Sequence, residues 1–153
     1  MTLTLNLNGR KVSAEIPEDM ALLDFLRSQK CYSVKRGCET SNCGLCTVWL
    51  DGVPVLSCNV PAARANGRNV TTLEGVQAQA EEFGGYLADE GGEQCGFCNP
   101  GFIMNVLAME RELGRDATDA DINAYLTGNL CRCTGYESHL RAIRRWLRRE
   151  VQA

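Results

Sequence analysis

Nine cysteines, at positions 31, 38, 43, 46, 58, 95, 98, 131 and 133, constrain this chain more than any other feature of it. Three of them crowd into the ten residues GCETSNCGLC, Gly37 to Cys46. A disulfide framework is the first alternative to weigh, and three observations stand against it. The count is odd. The N-terminus, MTLTLNLNGRK, has neither the basic start nor the continuous apolar block of a signal peptide. Without secretion the chain is expected in the cytoplasm, where thiols stay reduced. Moreover Cys43/Cys46, Cys95/Cys98 and Cys131/Cys133 have only one or two residues between them, which suits thiolates converging on a metal better than bridges joining distant elements.

The remaining composition excludes other classes. The chain is 44% hydrophobic and 23% charged, enough to build a core. Its net charge is -3, with no run of Lys or Arg interleaved with aromatics, so no nucleic-acid interface is expected. The longest apolar stretches fall far short of the roughly 20 residues that cross a bilayer.

The hydrophobic pattern changes period halfway. Leu3, Leu5 and Leu7 alternate up to Asn8-Gly9, and Val12, Ala14 and Ile16 alternate after it, which predicts a β-hairpin. A helix is expected over 19–29, with Leu22, Leu23 and Leu26 inward. CTVWLDGVPVLSC reads as a second hairpin around Asp51-Gly52, and 69–73 as a last strand. From there the apolar spacing becomes helical. Four helices are expected: 74–91, interrupted at Gly84-Gly85; one opening at Pro100, with Phe102, Ile103, Val106, Leu107 and Leu113 on its buried face; one from a Thr118/Asp121 capping box to Gly128; and one with Tyr136, Leu140, Ile143 and Leu147 on one stripe. The fold class is therefore α+β: a small sheet domain over 1–74 followed by a four-helix bundle over 75–153.

Cys38-x4-Cys43-x2-Cys46 followed by Cys58 is the plant-type spacing for a 2Fe-2S cluster. Three thiolates from one loop must wrap a small anionic core, so the backbone folds back on itself, and Gly37 and Gly44 permit this while letting amides approach the sulfurs. The Asp51-Gly52 hairpin returns Cys58 to the side of Cys46. The second set, Cys95-x2-Cys98 with Cys131-x-Cys133, places each pair at a helix start, where the partial positive charge suits a bound anion. Spacing favours iron-sulfur at the first site and leaves the second open between a 2Fe-2S cluster and zinc. A Rieske centre is excluded, because it needs two histidines and the chain has only His139, expected to be a solvated helix residue. Cys31 is left over and is expected to pack as a small hydrophobe. Arg141, Arg144, Arg145, Arg148 and Arg149 crowd the last helix and read as a solvated basic face rather than a docking surface.

Taken together, GCETSNCGLCTVWLDGVPVLSC, QCGFCNPGFIM and GNLCRCTGY closely resemble the small iron-sulfur subunit of the xanthine oxidase family of molybdenum hydroxylases, over nearly the whole chain and in the family's order. That resemblance implies a ferredoxin-like β-grasp domain and a helical-bundle domain with one 2Fe-2S cluster each, and so iron-sulfur at the second site too. It implies a subunit that transfers electrons and is not itself catalytic. The molybdenum-pterin cofactor would be held by a large partner subunit, and FAD could be held by a medium partner subunit. Cys95, Cys98, Cys131 and Cys133 would form the relay nearer the pterin, and Cys38, Cys43, Cys46 and Cys58 the outer one. Gln94 and Cys133 match positions that approach the pterin. Thr40, Ser41, Asn42 and Leu45 depart from the family's usual first loop. The expected substrate of the complex is a purine or another N-heterocycle. The alternatives are the small subunit of an aldehyde or carbon monoxide dehydrogenase of the same family, a zinc-stabilised interaction module, or a free ferredoxin-like carrier.

Overall fold

The computed structural model describes residues 1–150; residues 151–153, the end of the expected second domain, lie outside the described residues. Strands β1 (Thr2–Leu7) and β2 (Arg10–Glu15) are followed by helix α1 (Leu22–Ser28), strands β3 (Thr47–Leu50), β4 (Val53–Leu56) and β5 (Asn69–Thr71), and helices α2 (Gln77–Asp89), α3 (Asn99–Leu113), α4 (Asp119–Tyr125) and α5 (Glu137–Leu147). The strands form one sheet in the order β2-β1-β5-β3-β4, in which β1 and β5 run parallel and the other neighbours antiparallel. Among the described residues, no helix is long and apolar enough to cross a membrane.

Both hairpins form where the sequence places them. Asn8 and Gly9 have φ of 51° and 80°, Asp51 and Gly52 of 51° and 83°, so each turn has two left-handed residues whose twist matches that of the flanking strands. Leu3, Leu5 and Leu7 of β1 are buried against Leu22, Leu23, Phe25 and Leu26 of α1, and Cys31 is buried with them, as expected. β3 differs from a one-sided strand because all four of its residues are buried. Val48 and Leu50 join the core under α1, whereas Trp49 points the other way into the helical core and donates its indole Nε1–H to the carbonyl of Met104 at 2.9 Å. The sheet and the helices are thus packed together through β3 and α3.

The helical half is a bundle in which α5 packs on α2 and α4, and α3 on α2, α4 and β3. Phe83, Phe102, Ile143 and Trp146 meet in its core, with Trp146 edge-on to Phe83 at 5.6 Å between ring centroids. The capping box at α4 is present, Thr118 and Asp121 bonding reciprocally. Several expectations need correction. α2 runs unbroken through Gly84-Gly85, because burial of Ala80, Phe83 and Leu87 on one face outweighs the cost of two glycines in the helix interior. α4 ends at Tyr125 rather than Gly128, and α1 is shorter than 19–29. Leu113, the last residue of α3, is 41% exposed, and Tyr136 is 42% exposed because it caps α5 in a left-handed conformation instead of joining its buried stripe. His139 is not solvated: it is 2% exposed and stacks on Phe102 at 4.4 Å. The basic face is solvated, Arg141, Arg145 and Arg148 being exposed, but its arginines also make ion pairs: Arg141 and Arg145 bond Glu90 at the end of α2, Arg144 bonds Asp119 of α4, and Arg149, just beyond α5, bonds Glu110 of α3.

Candidate metal centres

The loop between α1 and β3 carries Cys38, Cys43 and Cys46, and the turn after β4 carries Cys58. Because β3 and β4 are antiparallel, with Thr47 opposite Leu56, the hairpin returns Cys58 to the side of Cys46, and their thiols are within hydrogen-bonding reach of each other. Cys38 and Cys43 pair in the same way. The amides of Asn42 and Thr40, then the Cys43 thiol, hold the Cys38 thiol well below its usual range, at about 6. Burial pushes Cys46 up to about 11 and also raises Cys43. Ser41, in a left-handed conformation with φ of 55°, sets its Oγ 3.5 Å from the Cys58 sulfur.

The second set comes from two loops that meet across the bundle. Cys95 lies in the turn before α3 and Cys98 at its N-cap, while Cys131 and Cys133 lie in the turn before α5. Cys95 and Cys133 sulfurs are 3.6 Å apart, and Cys98 and Cys131 are within hydrogen-bonding reach. Burial pushes Cys98 up to about 12. At Cys131 burial also opposes ionisation, but the Thr134 hydroxyl and the amides of Cys133 and Thr134 outweigh it and lower the pKa. An open cavity of about 510 Å³ adjoins this set, lined by Cys95, Cys133, Phe97, Leu130 and Tyr136 among others.

Each quartet therefore consists of two thiol pairs: 38/43 with 46/58, and 95/133 with 98/131. Two irons that each take two thiolates fit that donor set. Backbone amides directed at Cys38 and Cys131 supply the positive dipoles that an anionic core needs. Spacing predicted both quartets but not what surrounds the second. Thr134 and His139 stand next to Cys131, and Nδ1 and Nε2 of a buried histidine are invisible to a count of cysteine intervals. The sequence signal for Thr134 is its place inside CRCTGY.

The two quartets are neighbours. The Leu130 amide donates to the Cys43 carbonyl at 2.9 Å, and Leu130 immediately precedes Cys131. Gly44, at φ +75°, and Gly101 of α3 allow this close approach: a methyl group on Gly44 would strike the Gly128 carbonyl and Asn129, and one on Gly101 would strike the Gly44 carbonyl.

Comparison with known proteins agrees with this arrangement. Residues 5–73 match the 2Fe-2S iron-sulfur cluster binding domain and residues 72–144 the 2Fe-2S binding domain, so the chain has two 2Fe-2S-binding units. It is 39% identical over 147 residues to the nicotinate dehydrogenase small FeS subunit of Eubacterium barkeri, covering 94% of this chain and 93% of that one. It is 40% identical over 145 residues to the xanthine dehydrogenase iron-sulfur-binding subunit of Escherichia coli O157:H7, covering 90% and 88%. Among solved structures, quinoline 2-oxidoreductase from Pseudomonas putida 86 superposes with a TM-score of 0.86 at 32% identity, over 94% of this chain and 90% of that chain. The aldehyde oxidoreductase of Desulfovibrio desulfuricans superposes at 0.85 with 37% identity, over 94% of this chain but 16% of that longer one. The chain belongs to the family of small 2Fe-2S subunits of xanthine and aldehyde oxidase-type molybdenum hydroxylases, and its function is electron transfer within such an oxidoreductase complex.

Proposed function

We propose that Cys38, Cys43, Cys46 and Cys58 hold one 2Fe-2S centre, that Cys95, Cys98, Cys131 and Cys133 hold the other, and that residues up to about 74 and those after it are the two cluster-bearing domains. A bound 2Fe-2S core supplies a one-electron redox centre. The observation that carries the reading is the Leu130–Cys43 hydrogen bond. It joins the two thiol sets by a route of one hydrogen bond and a few covalent bonds, with Gly44 and Gly101 keeping the backbones close.

The input side of the relay is the second quartet. Cys95 and Cys133 are exposed, and the exposed apolar side chains of Phe97, Leu130 and Tyr136 stand around them. A large molybdenum-pterin subunit docking there would cover that apolar rim and place its cofactor against Cys133 and Gln94, whose amide Nε2 donates to the Cys133 carbonyl at 3.1 Å. The first quartet would then face the acceptor, a FAD-bearing medium subunit or another carrier. Relatives named for nicotinate, xanthine and caffeine dehydrogenases support an N-heteroaromatic substrate for the complex.

The test uses the purified complex carrying Cys131→Ser. Substrate should no longer reduce the first centre, while dithionite still does, and turnover to the external acceptor should stop. Turnover at the parent rate would overturn the assignment of Cys131.

A further inference from the structure

The CRCTGY turn carries a side-chain relay that the ligand set does not account for. Thr134 Oγ lies 3.2 Å from the Cys131 sulfur and 3.4 Å from His139 Nε2, and it also accepts from the Tyr136 amide at 3.4 Å. A hydroxyl has one proton to give. Where it goes follows from His139. Nε2 of that ring is 2.9 Å from the Gly92 carbonyl, inside the protein, and a carbonyl only accepts. Nε2 must therefore carry hydrogen, whether or not Nδ1 does. A nitrogen that already carries hydrogen cannot accept from Thr134, so the hydroxyl proton is left with the sulfur.

The rest of the turn is built to keep this geometry. Phe102 stacks on one face of the His139 ring at 4.4 Å, and Tyr136 meets it edge-on at 5.9 Å. Tyr136 is held left-handed, at φ 70°, a conformation that non-glycine residues rarely adopt. There its hydroxyl accepts the Cys131 amide at 2.8 Å and its own amide reaches Thr134. Gly92, whose carbonyl orients the imidazole, is itself buried and pinned through its amide to Leu87 at 2.7 Å.

We infer that Thr134 is a redox-positioning residue for the second centre: its hydroxyl donates to the Cys131 sulfur, His139 offers that proton no competing acceptor, and the effect is to make this centre easier to reduce. The physical reason is charge. The ligand sulfurs become more negative when the centre gains an electron, so a donor aimed at one of them stabilises the reduced form more than the oxidised form. The inference rests on Cys131 being a ligand, as proposed above.

The experiment is a redox titration of the intact complex, following the EPR signals of the two reduced centres. Thr134→Val should disfavour reduction of the second centre about tenfold, equivalent to about 59 mV more negative for a one-electron couple, and leave the first centre as an internal standard unmoved. Thr134→Ser, which keeps the donor, should restore the parent midpoint. A folded Thr134→Val complex that shows both signals at parent midpoints would overturn the inference while leaving the ligand assignment standing. Loss of only one signal on Cys131→Ser is expected. Absence of a second signal from the parent complex would overturn both.

Discussion

Replacing Gly101 with alanine tests whether the two halves are held by backbone-to-backbone contact. The added methyl group would run into the Gly44 carbonyl oxygen, with Leu45 Cα at 3.0 Å and the Gly44 carbonyl carbon at 3.1 Å. These are main-chain atoms of the first cysteine loop, so no rotamer change relieves the clash. α3 must back away, and the upper end of the range for overpacking, about 3 kcal/mol, applies. Separating the surfaces also strains the Leu130–Cys43 hydrogen bond, worth about 1 kcal/mol. Against this, alanine gains up to about 1 kcal/mol over glycine in a helix. The net loss is about 3 kcal/mol, or a fall of about 6–12 °C in Tm for a chain of this size. Gly84→Ala in α2 is the control, because nothing lies within 4 Å of its added methyl group and the same helix preference should raise Tm by about 2–4 °C. The assay is thermal unfolding of the iron-loaded chain, followed by circular dichroism and by loss of visible absorption. If Gly101→Ala unfolds with the parent, or Gly84→Ala loses as much as Gly101→Ala, the close-approach argument fails.

Cys43→Ser should remove one of two distinguishable EPR signals from the reduced protein and spare the other; simultaneous loss of both would contradict two separately assembled centres. Native protein should carry about four iron atoms per chain and be brown, and metal analysis finding zinc alone would refute the cluster reading. Glu74 gives a pH-dependent test. Burial alone would raise its pKa, but hydrogen bonds from the Ser33 hydroxyl, the Thr72 hydroxyl and the Ser33 amide prevail and lower it. A carboxylate with a depressed folded pKa contributes stability that is present above its unfolded pKa, about 4.3, and lost as pH falls through the folded value. Glu74→Gln should therefore cost about 1–2 kcal/mol at pH 7 in denaturant titrations, and the gap should close in acid; a gap independent of pH would contradict an ionised Glu74.

Much of this protein was legible one residue after another. Asn8-Gly9 and Asp51-Gly52 specify their hairpins because a two-residue turn depends on the φ of those two residues and on little else. The Thr118–Asp121 cap is likewise settled within four positions. Spacing groups eight cysteines into two sets of four, the first because a short loop allows few ways for three thiols to converge, and the comparisons place a 2Fe-2S-binding unit over each half. Tertiary structure decided the rest. α2 continues through Gly84-Gly85 because its buried face holds it. Trp49 crosses from the sheet to the helical core because α3 covers that face of β3. Leu130 meets Cys43 because glycines distant in sequence leave room. His139 lies 47 positions beyond the Gly92 carbonyl that orients it. Turn and cap preferences act over a few bonds and can be read from neighbours, whereas burial and the direction of a hydroxyl proton depend on groups that only the folded chain brings within 3 or 4 Å.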